Sequence, residues 1–302
     1  MAKFKMNHTR ESAGKSTGTM VKVGLFGAII TALFFVFNKF TGGGSNQATP
    51  PKEEQADTYT NEFYLPTASG QVVKHRFYSL SYIEAHEQAE WVAYTLTRDN
   101  LKKEWVERQD NFLPDPKVRT ESATPNDYRN SGYDRGHLVP AADMAFDEDA
   151  MMETFFMSNI SPQAKNFNKG IWRELEEMTR SWAEKNVKLF VVTGPVLTEP
   201  VKGKIGANEV SIPTAYYKIL LDLNEPEKKA IAFVVPNEIS YEPLYKYVKS
   251  VDEVEQLTGI DFFPELMPKE IEQELEARYN LDLWEFNKKK FETRTQKWNV
   301  QE

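Results

Sequence analysis

The stretch Tyr133–Pro140, with the sequence YDRGHLVP, is the most informative part of this 302-residue chain. Its central word, Asp134-Arg135-Gly136-His137, is expected by chance about once in a thousand chains of this length at average amino-acid usage. A histidine titrates near neutral pH and can take a proton from water, and an adjacent arginine can hold a phosphate oxygen. The glycine allows the backbone to approach a ligand closely or to adopt an unusual φ. The pattern therefore indicates a reactive site around His137.

The rest of the chain excludes several other kinds of site. His8 lies in the N-terminal tail, His75 precedes a predicted strand, and His86 lacks the second histidine of a zinc-protease helix. An acyl hydrolase that uses His137 with Asp134 and a serine is disfavoured, because the chain has no Gly-x-Ser-x-Gly motif. The sequence contains no cysteine, which excludes disulfides, thiolate zinc sites and cysteine nucleophiles.

A second group of polar residues follows the first. It starts with the word SNISPQ at residues 158–163 and continues with Asn168, which precedes a predicted helix. Helical spacing places Trp172, Glu176 and Arg180 along one side of that helix, with Asn168 one further four-residue step back. An amide oxygen, a carboxylate and an arginine in a line suit a hydrated metal that meets a phosphate. The structural alternative is that Asn168 caps the helix while Glu176 and Arg180 form a surface pair.

The pattern of apolar residues predicts an α+β fold. Four apolar residues recur with helical spacing, namely Ile171, Leu175, Met178 and Trp182. The predicted strands are 91–97, 155–160 (a short strand or an extended piece), 187–193, 215–223 and 230–235, and the predicted helices are 170–186 and 251–258. Residues 268–297 are predicted to form an appended α-hairpin or a single long helix. Strands follow strands without strict βαβ alternation, which favours a central, mostly antiparallel sheet flanked by helices.

The chain resembles the DNA/RNA non-specific endonucleases. Short sequence motifs similar to those of this family occur between about residues 60 and 265, in the same order as in the family. This makes the resemblance more specific than any single motif. The motifs are Asp134 through His137, WVAY at 91–94, SNISPQ at 158–163, Asn168 through Glu176, VTGP at 192–195, VVPN at 234–237 and LTGIDFF at 257–263. The resemblance implies a ββα-metal fold and sequence-nonspecific hydrolysis of DNA, RNA or both.

The resemblance also implies a role for each matching residue at the centre of the site. His137 resembles the general base that activates water for in-line attack on phosphorus. Asn168 resembles the single direct ligand of Mg²⁺, and Glu176 resembles the carboxylate that orients metal-bound waters. Because a metal with one neutral protein ligand is held weakly, we expect Mn²⁺ to be able to replace Mg²⁺.

Further residues resemble those that support the base or contact the phosphate. Arg135 and Arg180 resemble arginines that stabilise the phosphate charge. Asn159 resembles the asparagine that supports the histidine side of the site. Arg108 is a weaker match for another phosphate-binding arginine, since loop lengths vary there, and we expect Asp134 to be structural.

The N-terminal part of the chain predicts attachment to a membrane. A basic tail at residues 1–22 precedes an apolar run from Val23 to Phe37, which is followed by Asn38 and Lys39. Fifteen apolar residues rise about 22 Å as a helix, slightly less than the ~20 residues of a full span. We expect residues 23–39 to be an uncleaved transmembrane anchor; a signal segment is the alternative, and a convincing Ala-x-Ala cleavage site is missing. Residues 40–58 are predicted to form a flexible linker. Residues 59–265 are predicted to form the nuclease domain, and residues 266–302 a charged helical extension.

The charge distribution bears on location and partners. The positive charges before the apolar run place the N-terminus in the cytoplasm and the nuclease domain beyond the membrane, in a bacterial periplasm rather than a mitochondrial intermembrane space. The formal net charge is −8, whereas most nucleic-acid binders carry a basic surface. This acidity leaves open a catalytically inactive, membrane-tethered scaffold or binding protein of the same fold. A homodimer is compatible with the sequence, which contains nothing that decides the oligomeric state.

Overall fold

A seven-stranded antiparallel sheet lies at the centre of the computed structural model, which describes residues 65–198 and 200–300. Each strand is hydrogen-bonded in antiparallel register to its neighbours. In spatial order the strands are β1 (Gln71–Lys74), β2 (Tyr78–Ile83), β3 (Gln88–Thr97), β6 (Lys188–Pro195), β9 (Ala215–Asp222), β10 (Lys229–Pro236) and β11 (Val248–Lys249). The predicted α+β class with a central antiparallel sheet is confirmed.

Helices cover both faces of the sheet because successive strand residues point to opposite sides. The α-helices are α1 (Arg98–Leu101), α2 (Glu148–Glu153), α3 (Arg173–Asn186), α4 (Val251–Thr258), α5 (Lys269–Glu276) and α6 (Lys288–Thr293). On one face, Val92 and Tyr94 of β3 share a buried cluster with Leu175 of α3. On the other face, Trp91 of the same strand shares a second cluster with Val254 of α4.

Two shorter strands and a helix form a separate unit beside the sheet. Strand β4 (Tyr133–His137) pairs in antiparallel register with β5 (Ile160–Ala164), and α3 follows β5 in the chain. The two remaining strands, β7 (Gly203–Ile205) and β8 (Val210–Ile212), form another antiparallel pair. The word DRGH therefore lies on a strand, at the end of which His137 stands opposite Ile160.

Several predicted elements are confirmed to within a few residues. The four apolar residues predicted to share one side of this helix are all at most 2% exposed; three of them lie in α3, and Ile171 lies in the turn before it. The predicted helix at 251–258 matches α4, which begins with a capping box at Ser250 and ends at Gly259 with a φ of 74°. The strands predicted at 91–97, 187–193, 215–223 and 230–235 correspond to β3, β6, β9 and β10.

The strand predicted at residues 155–160 is wrong. The chain there leaves α2, makes a 3₁₀ turn at Met157–Asn159 and enters β5 at Ile160. Phe155, Met157 and Ile160 are fully buried, so their apolar character reflects burial in a turn rather than a strand. Asn159 causes the change of direction, since its side chain binds the backbone carbonyl of Thr154.

The single long helix or α-hairpin predicted at 268–297 is also wrong. Helix α5 is followed by a 3₁₀ turn at Leu281–Leu283, then by α6 and a π-helical turn at Arg294–Trp298. The side chains of Asn280 and Asn287 accept backbone N–H bonds at the starts of new turns, which divides the segment. Tertiary contacts then override the helical pattern, because Trp284 is fully buried against Trp182.

The predicted basic tail, membrane segment and linker at residues 1–22, 23–39 and 40–58 lie outside the described residues. Within the two described ranges, no helix combines the length and apolar character needed to cross a membrane. All described residues belong to one compact unit, bounded by Tyr59 and Glu302.

Candidate active site

Strand β4 is held against β5 by close packing at Gly136. A Cβ atom added to Gly136 would lie 2.1 Å from the side chain of Gln163, so any larger residue would have to displace that buried side chain. The side-chain amide of Gln163 also donates to the backbone carbonyl of His137 at 3.5 Å. The glycine of DRGH is thus explained by the approach of a neighbouring strand rather than by a positive φ.

The ring of His137 lies between two phenylalanines. Its centroid is 5.6 Å from that of Phe112 and 4.9 Å from that of Phe155. Its Nε2 atom is buried and has no hydrogen-bond partner among residues 65–198 and 200–300. The histidine is therefore oriented by ring packing, and one ring nitrogen is left without a partner among the described residues.

The electrostatic environment keeps His137 neutral. Burial lowers the pKa of His137 to about 3, and the positive charges of Arg108 and Arg135 act in the same direction, whereas Asp110 opposes them. A neutral imidazole can accept a proton, which an imidazolium cannot. The surroundings thus favour the form that a general base requires.

The two predicted arginines on this side of the site are exposed and stack on the same phenylalanines. The guanidinium of Arg135 lies 4.2 Å from the centroid of Phe112, and that of Arg108 lies 5.3 Å from Phe155. Arg108 is also paired with Asp110 at 2.6 Å. Stacking fixes each guanidinium beside His137 while its N–H groups stay accessible to an anion.

A surface pocket opens along β4 next to Arg135. Its lining residues are Pro125, Tyr128, Arg129, Tyr133, Asp134 and Arg135. Arg129 is exposed and provides a second positive charge there. Sequence analysis did not identify Arg129, since no motif or periodicity distinguishes it from other surface arginines.

Asn159 supports the backbone that follows His137. Its amide group accepts from Val139 N at 2.9 Å and donates to Val139 O at 3.1 Å and to Thr154 O at 2.9 Å. Its own backbone carbonyl accepts from Leu138 N at 3.0 Å. The side chain is fully buried, and the bonds that the structure gives it are to backbone groups rather than to the imidazole.

Asn168 occupies a distorted turn just before α3. The turn Phe167–Trp172 contains Gly170 at φ −101° and ψ −111°, which breaks the helical path. Asn168 therefore does not continue the side of α3 as helical spacing predicted, and it caps neither element, since the capping positions are Asn166 and Trp172. Its direction is fixed instead by Asp134, whose Oδ2 accepts from Asn168 Nδ2 at 3.0 Å.

Glu176 and Arg180 face a buried charged cluster rather than open solvent. Asp143 accepts from Arg180 Nη1 and from the hydroxyl of Tyr94, both at 2.7 Å. Lys218, on β9, is fully buried; its Nζ has no hydrogen-bond partner in the described part of the chain and lies 5.0 Å from the Trp172 ring centroid. Arg180 is thus not half of a surface pair with Glu176.

The cluster sets the protonation of the two groups that face each other. Burial raises the pKa of Glu176, and the positive charges of Lys218 and Arg180 oppose that rise. Burial lowers the pKa of Lys218, and Glu176 and Asp143 oppose that fall. Sequence analysis missed both Lys218 and Asp143. The single lysine in the apolar strand AYYKILLD was a signal for Lys218, but Asp143 had none.

The predicted residues form two groups, and the members of each group share the same surroundings. His137, Arg135 and Arg108 share the phenylalanines, whereas Glu176 and Arg180 share the buried cluster. No hydrogen bond or ring contact between described residues joins the two groups. Strand β4 connects them, because Asp134 holds Asn168 and lies three residues, or about 10 Å of extended chain, before His137.

The side chains near α3 fit a hard divalent cation. The Nδ2 of Asn168 donates a hydrogen bond to Asp134, which leaves the Oδ1 of Asn168 available. Glu176 is half-buried, and its carboxylate accepts no hydrogen bond from the described residues. Amide and carboxylate oxygens are the ligands that such ions prefer, and Mg²⁺ needs only one or two of them from the protein.

Comparison with known proteins shows the family of the chain. The family model for DNA/RNA non-specific endonucleases matches residues 55–269. The chain is 35% identical over 261 residues to the mitochondrial nuclease EXOG of Danio rerio, covering 78% of this chain and 75% of that one. It is 34% identical over 250 residues to a nuclease of Nostoc sp., covering 78% and 84%.

A solved structure shares the fold. The matching chain comes from the crystal structure of the EndoG/EndoGI complex, with a TM-score of 0.62 and 28% identity, over 68% of this chain and 90% of that one. The fold and the matched sequence together define a hydrolase that acts on nucleic acids. This chain belongs to the DNA/RNA non-specific endonuclease family, and the family implies a divalent metal ion and a nucleic-acid substrate.

Proposed function

We propose that this protein is a Mg²⁺-dependent, sequence-nonspecific endonuclease of the ββα-metal type, with His137 as the general base. The observation that carries the proposal is the buried, unpartnered Nε2 of His137 beside the exposed guanidinium of Arg135. A neutral base next to a cation suits a reaction in which water attacks a phosphate anion.

The chemistry follows from the positions of the side chains. His137 Nε2 takes a proton from water as the water oxygen attacks phosphorus, and the bond from phosphorus to the leaving oxygen breaks. Arg135 and Arg108 hold non-bridging phosphate oxygens through guanidinium N–H groups that stacking leaves accessible. Asn159 keeps the backbone after His137 in place and takes no part in the proton transfer.

Asn168 and Glu176 are the residues that would hold the metal, Asn168 through Oδ1 and Glu176 through its carboxylate. A bound divalent cation supplies positive charge where negative charge grows on the phosphate and the leaving oxygen. Arg180, paired with Asp143, acts as a positioning residue that keeps Glu176 in a positively charged environment. We expect Mn²⁺ to replace Mg²⁺, since oxygen ligands do not strongly separate the two ions.

The candidate contact groups favour cleavage without sequence preference. Arg135, Arg129 and Arg108 are cations on an exposed surface around β4, and cations bind phosphate rather than base edges. Contacts confined to the backbone carry no sequence information. Both DNA and RNA therefore qualify as substrates.

Digestion of supercoiled plasmid and of RNA by the full-length chain tests the proposal. We expect cleavage with Mg²⁺ or Mn²⁺, none in EDTA, and loss of several orders of magnitude in His137→Ala. Glu274→Gln, which removes an exposed charge on α5, outside the candidate active site, serves as the control. A folded protein that cleaves nothing with any divalent metal would instead favour the alternative of a catalytically inactive scaffold or binding protein. The net charge of −8 is the observation that supports this alternative.

We also propose that residues 23–39 anchor the protein, with the nuclease domain on the non-cytoplasmic side, as in a bacterial periplasm. The apolar run between two lysines and the basic tail before it support this orientation. In a bacterial host, the full-length chain should remain with membranes after an alkaline carbonate wash. Protease added to spheroplasts should digest the nuclease domain, and survival of that domain would reject the orientation.

A further inference from the structure

A group of carboxylates lies between α4 and α5, on elements distinct from those that carry the candidate active site. Asp252 and Glu255 come from α4 and Glu276 from α5, and one oxygen of each lies within 4.8 Å of the others. The backbone N–H of Phe262 donates to Glu255 Oε1 at 2.8 Å, which holds that side chain in place. Three acidic groups are therefore directed toward one point.

Two carboxylates in this region are buried without full hydrogen bonding. Glu276 is 4% exposed and Glu272 is 1% exposed. The buried Oε1 of Glu276 and Oε2 of Glu272 have no hydrogen-bond partner among the residues that the structure describes. Leaving a buried carboxylate oxygen unsatisfied is costly, so a missing partner is expected here.

Basic residues do not supply that partner. Lys269 binds Glu272 through its other oxygen, Oε1. Within the described ranges, no lysine, arginine or histidine forms an ion pair with Asp252, Glu255 or Glu276. The segment 251–302 holds thirteen acidic and seven basic residues, so the excess of acid is local.

The electrostatic strain is concentrated on Glu276. Its side chain is buried, and one of its carboxylate oxygens lies within 4.8 Å of an oxygen of Asp252 and of Glu255. Like charges held this close favour either a proton or a cation between them. A cation would satisfy all three converging carboxylates, whereas one proton satisfies a single pair.

We propose that Asp252, Glu255 and Glu276 form a calcium site that joins α4 to α5. Ca²⁺ binds carboxylate oxygens at about 2.3–2.6 Å, so two of its ligands can be up to about 5 Å apart, and the three carboxylate oxygens here lie within 4.8 Å of one another. Mg²⁺ keeps most of its waters and is usually bound through only one or two carboxylates. An all-carboxylate, partly buried set therefore selects the larger ion.

The site has a structural role. The family match ends at residue 269, at the start of α5, so the proposed ion connects the C-terminal extension to the body of the nuclease domain. An ion that binds only the folded state raises stability with the logarithm of its concentration relative to its dissociation constant. Because the ligands lie outside the candidate active site, this role does not depend on the proposed catalytic mechanism.

Thermal unfolding of the full-length chain, stripped of metal and then given CaCl₂, tests the site. When Ca²⁺ is about 100-fold above its dissociation constant, we expect the Tm to rise by roughly 5–10 °C. Glu276→Gln should abolish the rise, and so should Asp252→Asn, which changes a half-buried residue in case the core variant fails to fold. Calorimetric titration with CaCl₂ should show the loss of one site in each variant.

Two matched variants separate this site from its surroundings. Asn168→Ala, which removes the proposed catalytic metal ligand, should keep the calcium-dependent rise in Tm. Glu274→Gln, an exposed position on the same helix as Glu276, should keep it as well. An equal rise in Glu276→Gln and the native chain, or no rise in the native chain, would overturn the proposal, as would stabilisation by lowering the pH alone with no effect of Ca²⁺. None of these readouts depends on nuclease activity.

Discussion

The side-chain amide of Asn168 donates its Nδ2 to Asp134 Oδ2 at 3.0 Å, which joins the turn before α3 to the first residue of the DRGH word. This bond determines which end of the amide faces the carboxylate. The Oδ1 atom is consequently turned to the other side, where it is available as a metal ligand. Asp134 thus has a defined part in the candidate site, as the residue that orients a ligand.

Asp134→Ala should weaken the metal requirement of the site rather than its base. Removal of a group that orients a metal ligand typically costs about 10–100-fold in metal affinity or activity. We expect the Mg²⁺ concentration for half-maximal plasmid cleavage to rise within that range. Asp134→Asn retains an acceptor oxygen and should recover part of the affinity, and an unchanged Mg²⁺ dependence in Asp134→Ala would contradict the assignment.

His137 should make the protein less stable in acid. Its pKa is about 3 in the folded chain, where burial and then Arg108 lower it, and about 6.5 in the unfolded chain. Between these values the unfolded chain binds more protons, so the stability that is present above pH 6.5 is lost as the pH falls toward 3. His137→Gln should therefore show a smaller loss of urea stability than the native chain between pH 7 and pH 5.

His75 provides a control of opposite sign for that measurement. Burial lowers the pKa of His75, but its hydrogen bond to Asp115 and the negative charges of Asp115 and Glu153 outweigh burial and raise it. Its contribution is therefore present at low pH and lost as the pH rises, so His75→Gln should lose more stability at pH 5 than at pH 7. Parallel pH profiles for the native chain and His137→Gln would contradict the low pKa of His137.

Lys218→Met should shift the pH dependence of cleavage. Lys218 lowers the pKa of Glu176 against the effect of burial, so removing its charge raises that pKa further. If ionised Glu176 is needed, the acidic limb of the kcat/KM profile should move to higher pH. Lys229→Met, on the neighbouring strand and bound to Asn186 at the far end of α3, should leave the limb in place.

Arg294→Met should destabilise both the fold and the site. Arg294 is fully buried; its Nε donates to Glu174 at 2.5 Å, and its other nitrogens donate to the carbonyls of Ser240 and Glu242. Removing one partner of a buried ion pair leaves an uncompensated charge and costs about 3–5 kcal/mol. Urea unfolding should show this loss and nuclease activity should fall with it.

The pairing of Arg294 with Glu174 can be separated from general damage. The double variant Arg294→Met with Glu174→Gln no longer buries a lone carboxylate and should recover part of the lost stability. Arg278→Met breaks the exposed pair with Glu274 and should change stability by less than about 1 kcal/mol. If Arg294→Met were as mild as Arg278→Met, the buried pair would not stabilise the helix.

Sequence alone predicted the parts of the molecule that are encoded by a regular spacing of apolar residues or by a rare sequence motif. Four apolar residues with helical spacing predicted which side of the segment 171–182 is buried, and all four are buried. The word DRGH located the site because its residue types have specific chemistry. Both signals are local along the chain, which is why a single sequence was sufficient.

The features that sequence missed are set by contacts between distant segments. Asp143 determines where Arg180 points, and it lies 37 residues before it. Gly170 breaks the helical path to Asn168, so spacing gave the wrong direction for that side chain. The prediction of a long helix at 268–297 was wrong for the same reason. Trp284 packs against Trp182 and Arg294 binds Glu174, and both partners lie far away in the chain.

The buried pair of Arg294 and Glu174 has a consequence for the order in which the protein is made. Arg294 leaves the ribosome 120 residues after Glu174. At residue 293, a growing chain already contains His137, Asn168 and Glu176 but lacks the guanidinium that closes the first turn of α3. The ion pair on the helix that carries Glu176 can therefore form only after Arg294 has been synthesised.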